Sequence, residues 1–111
     1  MARTLLNAAT GTGAGGTFKT NTIPDKHTVQ VTMGGTVVAT AVTVDLEGSL
    51  DGTFWQALAS HALDAGEITA EGAIFHVVNA PIKYVRANLT TLTGGTAPTV
   101  TVKYLGKYES H

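Results

Sequence analysis

The chain contains no cysteine, so disulfides, thiolate nucleophiles and thiolate metal sites are all excluded. Charge is scarce too: Asp, Glu, Lys and Arg make up 14% of the 111 residues, against about 25% in an ordinary globular domain. The net charge of -1 leaves no electrostatic footprint for nucleic acid or for an anionic membrane surface. No apolar run approaches the ~18 residues of a membrane span. The opening Met1-Ala2-Arg3-Thr4-Leu5-Leu6 lacks the apolar core of a secretion signal. Scarcity of charge is not disorder here, because 43% of the residues are apolar, and a disordered chain combines low hydrophobicity with high net charge.

Threonine and glycine are what the chain has in surplus, with nineteen and thirteen copies. Threonine and valine favour strands, since branching at Cβ restricts χ1 and suits a pleated surface. Glycine-rich joints between such runs mark an all-β chain of short strands, and the length allows one domain. The excess of Thr and Ala over Lys and Glu also points to a surface that another protein covers.

Residues 7–22 are rich in Gly, Thr and Ala, and only Phe18 among them offers apolar burial to offset the cost of ordering. The expectation is a flexible N-terminal arm over residues 1–22, with Leu5, Leu6, Asn7 and Phe18 as partner-binding residues, ahead of a sandwich domain over 23–111. Beyond Ile23-Pro24 strands follow quickly. Val29, Val31 and Met33 alternate with Thr28, Gln30 and Thr32 up to the Gly34-Gly35 turn. Val38, Val42, Val44 and Leu46 share one face of the next run, and Asp51-Gly52 is predicted to close a tight turn. Phe54–Ala59 reads as the return strand. There Phe54 and Leu58 have one parity and Trp55 the other, so a bulge or two-sided burial is needed. Trp55 is expected in the core beside the turn, as is usual for a lone Trp in a small β-domain. Residues 61–72 are read as a loop, because Gly66 and the short length work against a helix. Ala73–Val78, then Val85, Ala87 and Leu89, then Val100, Val102 and Tyr104 supply the remaining inward faces. The total is seven or eight short strands, spaced as in a sandwich.

Residues able to support chemistry are present but lack the context it needs. Gly11-Thr12-Gly13-Ala14-Gly15-Gly16 matches G-x-G-x-x-G, yet no helical period follows, so no phosphate cradle is assigned. Ser60, His61 and Asp64 share one segment without an oxyanion motif or nucleophile elbow, and no enzyme activity is expected. His27, His61, His76 and His111 have no metal-ligand spacing. Asp45, Glu47 and Asp51 crowd one hairpin without the spacing of a calcium loop. The sequon Asn88-Leu89-Thr90 falls mid-strand. No cofactor is implied.

Two stretches carry a resemblance. Val44-Asp45-Leu46-Glu47-Gly48-Ser49-Leu50-Asp51-Gly52-Thr53-Phe54-Trp55 resembles the Gly-Ser-x-Asp-Gly…Trp hairpin of discoidin-type galactose-binding jelly rolls, and Tyr84-Val85-Arg86-Ala87-Asn88 resembles their later Tyr-Val-Arg strand. Those families bind glycans or lipids through loops. The glycine-rich start, the length and the Thr93-Gly94-Gly95-Thr96-Ala97-Pro98 loop look like the capsid-decorating staple or cement proteins of epsilon15-like tailed bacteriophages. What that resemblance implies is an all-β, jelly-roll-like antiparallel sandwich acting as a structural virion protein. Such a protein is made in the host cytoplasm and sits on the outer surface of the capsid as a homodimer or other homo-oligomer. It clamps neighbouring copies of the major capsid protein and has no nucleic-acid or membrane partner. The alternative is a carbohydrate-binding sandwich module. Asp51, Gly52 and Trp55 are expected to be structural.

Overall fold

The computed structural model describes residues 3–20 and 24–107. Ile23, the expected start of the sandwich, lies outside these residues, as do Tyr108 and His111. The strands are β1 (Arg3–Ala9), β2 (Gly13–Ala14), β3 (Phe18–Lys19), β4 (Lys26–Gly34), β5 (Ala41–Ser49), β6 (Gln56–Ala62), β7 (Gly72–Val77), β8 (Tyr84–Thr93) and β9 (Thr99–Lys107). One helix, α1 (Ala65–Ala70), lies between β6 and β7.

Two antiparallel sheets form. The first has the order β1-β9-β4-β7. The second runs β2-β8-β5-β6, with β3 beside β2 along the same edge of β8. Taking β2 and β3 as one interrupted strand leaves, among the described residues, eight strands in two four-stranded sheets. Early strands pair with late ones, β1 with β9 and β2 and β3 with β8, which is how a jelly roll wraps. The expected β-sandwich is the fold.

Period-two alternation places the core. His27, Val29, Val31 and Met33 of β4 face inward with Val100, Val102 and Tyr104 of β9. Opposite them stand Val42, Val44 and Leu46 of β5 and Val85, Ala87 and Leu89 of β8. Along these four central strands every second side chain is thus buried between the sheets. A register shift between Leu46 and Glu47 leaves Leu58 as an extra residue in β6, the bulge that the parity of Phe54, Trp55 and Leu58 requires.

Two expectations are overturned. Residues 3–19 are not an appended flexible arm, while the expected boundary at residues 22 and 23 lies outside the described residues. Strand β1 pairs along β9, while β2 and β3 pair along β8, so the segment contributes an edge to each sheet. A shift between Thr4 and Leu6 lets two adjacent leucines both turn inward, with Leu5 6% and Leu6 9% exposed. Backbone ladders and these two side chains supply the ordering energy that the composition hides. The second correction is α1, where a loop is expected. Asp64 accepts a hydrogen bond from the Glu67 N–H at 2.8 Å, and the Glu67 carboxylate accepts one from the Asp64 N–H at 3.0 Å. This capping box satisfies two backbone donors of the first turn, and Ile68 packs against the core. Cap and packing outweigh the cost of Gly66.

Candidate functional site

The tip between β5 and β6 is held by a short polar motif. The buried Ser49 hydroxyl accepts from the N–H groups of Asp51 at 3.2 Å and Gly52 at 2.8 Å, and donates to Asp51 Oδ1 at 3.0 Å. That same oxygen accepts from the N–H groups of Thr53 at 2.8 Å and Phe54 at 3.0 Å. Gly52 sits between them at φ +79°, a region that costs glycine little and other residues more. The predicted Asp51-Gly52 turn is therefore present. The N–H donors, Thr53 first and Phe54 second, hold the Asp51 carboxyl below its ordinary range.

This turn sets two apolar side chains outward, one on each flank: Leu50 is 73% exposed and Phe54 70%. With Gly48, Ser49, Asp51 and Gln56 they border a shallow depression. Exposed apolar groups on a hydrogen-bonded tip are pre-organised for contact, since little chain entropy remains to be lost on docking.

Trp55 does not enter the core as expected. It is half-exposed, and the Arg86 guanidinium stands 4.4 Å from its ring centroid. Arg86 Nε donates to Glu47 Oε1 at 2.6 Å, and Asn88 Nδ2 donates to Glu47 Oε2 at 3.1 Å. Arg86 and Asn88 alternate along β8 with the buried Val85, Ala87 and Leu89, so this cluster lies on the outer face of the second sheet. The inner layer is already filled by aliphatic side chains and Tyr104, and the indole is left to stack outside.

The other candidate residues serve the fold or stand apart. His61 Nε2 lies 3.0 and 3.1 Å from the Glu67 carboxylate oxygens, and its ring stacks on Phe75 at 5.1 Å. Asp64 caps α1 and Ser60 is exposed, so Ser60, His61 and Asp64 do not form a nucleophilic relay. Glu67, the partner of His61, is detectable in the sequence only through its capping-box spacing from Asp64. Of the acidic trio, Glu47 is taken by Arg86 and Asn88 and Asp51 by the turn. Among the described residues no group of three His, Asp or Glu side chains is placed to hold a metal.

His27 is 1% exposed, with Nε2 2.7 Å from the Ala80 carbonyl oxygen. A carbonyl only accepts, so Nε2 carries the proton and Nδ1 accepts from the Tyr104 hydroxyl at 2.6 Å. Burial pushes the Tyr104 phenol well above its ordinary range, which keeps it a donor. His76 meets Thr28 Oγ1 at 3.0 Å on the outer face of the first sheet.

Leu5 and Leu6 are buried in this chain's own core and are withdrawn as partner anchors. Asn7 is exposed. Phe18 is half-buried, edge-on to Tyr104, and lies beneath the Arg3 guanidinium. Of the glycines in the G-x-G-x-x-G match only Gly13 lies in β2, and the element that follows is the strand β3, not a helix. At Gly15 an added Cβ would collide with the Leu5 carbonyl oxygen, so this glycine answers to packing. In the sequon, Leu89 is core and Asn88 is bonded to Glu47.

No protein-family model and no curated protein matches the sequence. Solved structures do. YomS, derived from the SPBc2 prophage, is similar with a TM-score of 0.59 at 16% identity, over 94% of this chain and 88% of that one. CBM32-3, from a family 31 glycoside hydrolase of Clostridium perfringens, gives 0.62 at 13% identity, covering 91% and 72%. XepA, an exported protein of PBSX, gives 0.62 at 12% identity; all of this chain aligns, but it spans only 38% of XepA. At such identities the shared property is the β-sandwich.

Proposed function

We propose that the protein is a structural component of a bacteriophage particle, decorating and reinforcing the capsid from outside by binding neighbouring major capsid proteins. The observation that carries this reading is the β5–β6 tip, where Leu50 and Phe54 stand out from a turn that five hydrogen bonds hold. Burying a leucine and a phenylalanine contributes about 1.5–3 kcal/mol each, and the rigid turn reduces the entropy that docking costs. A shell presents many equivalent sites, so modest contacts add up across its surface. The likeness in fold to YomS and XepA supports a phage setting. The docking role passes from the N-terminal segment to this tip, because Leu5 and Leu6 belong to the core. Quantitative mass spectrometry of purified virions from the phage encoding the chain tests the proposal. The chain is expected in high copy and open to an impermeant amine label; its absence from virions overturns the reading.

A second reading, a carbohydrate-binding module, is favoured by the outer face of the second sheet. There Trp55 stands beside Arg86, Glu47 and Asn88, which pairs an aromatic surface with hydrogen-bonding groups. The likeness to CBM32-3 supports it. Glycan-array binding lost in Trp55→Ala would favour this reading over the first.

A further inference from the structure

We infer that β7 is a self-pairing edge, through which two copies of this chain join their first sheets into one continuous eight-stranded sheet. The inference is independent of the capsid reading.

The four sheet edges differ in how they are guarded. Strand β1 begins with Arg3 and is broken by two register shifts, β2 and β3 have two residues each, and β6 carries the bulge. Such devices keep an edge from templating another strand. Strand β7 has none of them. Its sequence, Gly-Ala-Ile-Phe-His-Val, lacks Asp, Glu, Lys, Arg and Pro, and its register with β4 is unbroken from His27↔Val77 to Thr32↔Gly72.

The ladder also fixes which backbone groups β7 offers. The Met33 N–H donates to the Glu71 carbonyl at 3.0 Å, which makes these two a hydrogen-bonded pair one step before Thr32↔Gly72. Bonded and non-bonded pairs alternate along an antiparallel ladder. Ala73, Phe75 and Val77 therefore bond to β4, while Gly72, Ile74 and His76 turn their N–H and C=O groups to the open side. No strand occupies that side among the described residues. Ile74 is 56% exposed on the outer face of the same edge.

A second copy fits this edge better than a foreign strand does, for a reason of symmetry. A two-fold axis through the edge sets the residue on the axis against its own copy and pairs the others reciprocally, so a charge on the axis would face itself. Within Gly72–Val77 the one titratable side chain is His76, and the acidic Glu71 precedes the strand, three residues from the axis position Ile74. Antiparallel pairing centred on Ile74 sets Ile74 against Ile74 of the second copy. It also sets each His76 against the second copy's Gly72, where no side chain obstructs the imidazole. All three outward-facing residues then form reciprocal backbone pairs.

Sedimentation velocity and amide hydrogen exchange on the full chain, over a concentration series up to about 300 µM, test the inference; an edge this short is expected to associate in the micromolar range. The Ile74 and His76 amides should gain protection as concentration rises, whereas those of Ala73 and Phe75 should be protected throughout. Ile74→Lys, which places a cation on the axis from an outward position, should weaken association at least tenfold while leaving the melting transition in place. A chain that stays monomeric across the series overturns the inference. So does a dimer whose Ile74 and His76 amides exchange as fast as in the monomer, or one that Ile74→Lys leaves intact. The exchange experiment uses the unaltered protein, so it remains decisive even if the variant folds poorly.

Discussion

Replacing Leu6 by alanine tests whether the N-terminal segment belongs to the fold. Leu6 is 9% exposed, stands opposite Val102 of β9, and closes on Gly15 so tightly that a Cβ there would meet its Cδ2 at 2.7 Å. Gly15 has no side chain to move into a vacated space, so the cavity should persist. Leu→Ala in such sites costs about 2–5 kcal/mol, and a value near the middle lowers Tm by roughly 10–25 °C in a domain of this size. The assay is thermal unfolding of the isolated protein by circular dichroism, with exposed Asn7→Ala as a control that should stay within about 0.5 kcal/mol of the parent. A Leu6→Ala protein that melts with the parent would refute the placement of β1 and restore the appended arm. By the same logic, deleting residues 1–16 should not leave an intact sandwich, because β9 loses its outer neighbour and the core loses two leucines.

Trp55→Ala should cost no more than about 1 kcal/mol, the scale of an exposed cation–π contact, and a loss of several kcal/mol in a urea melt would put the indole back in the core. Tyr104→Phe should cost about 1–3 kcal/mol, because His27 Nδ1 is left buried without its donor; an unchanged denaturation midpoint would contradict that hydrogen bond. The Asp51 pKa is lowered by folding, so its contribution is present above the ordinary carboxylate value of 3.8 and is lost as pH falls through the lower folded-state value. NMR amide shifts of Thr53 and Phe54 should move together in that acid window, and unaltered shifts down to acid unfolding would count against the carboxylate as their acceptor.

The central strands were legible because their chemistry alternates strictly. Val29, Val31 and Met33, or Val100, Val102 and Tyr104, leave no other phase in which to pack. The Asp51-Gly52 turn was legible because both residues act locally. What stayed hidden depends on partners distant in sequence. Leu5 and Leu6 break the period of two, and only the bulge against β9 turns both inward. The helix α1 is too short to show periodicity, and its capping box gains its worth from Ile68 meeting the core. Trp55 was misplaced because size alone argues for burial. Its position was decided by Arg86, thirty-one residues later in the sequence, and by an interior already full. The outward aim of Leu50 and Phe54 follows from the Ser49–Asp51 hydrogen bonds, which no hydropathy pattern reports.

The central claim is docking through the β5–β6 tip, and co-sedimentation with capsids of the encoding phage tests it most directly. Binding isotherms of the parent and the Leu50→Ser/Phe54→Ser variant would be compared on shells stripped of the endogenous protein. Both side chains are solvent-exposed in the free protein, so the variant should melt like the parent. Its affinity should fall at least a hundredfold, since burying the two side chains is worth about 3–6 kcal/mol in total. Equal isotherms for the two proteins, or no binding by the parent, would contradict the account.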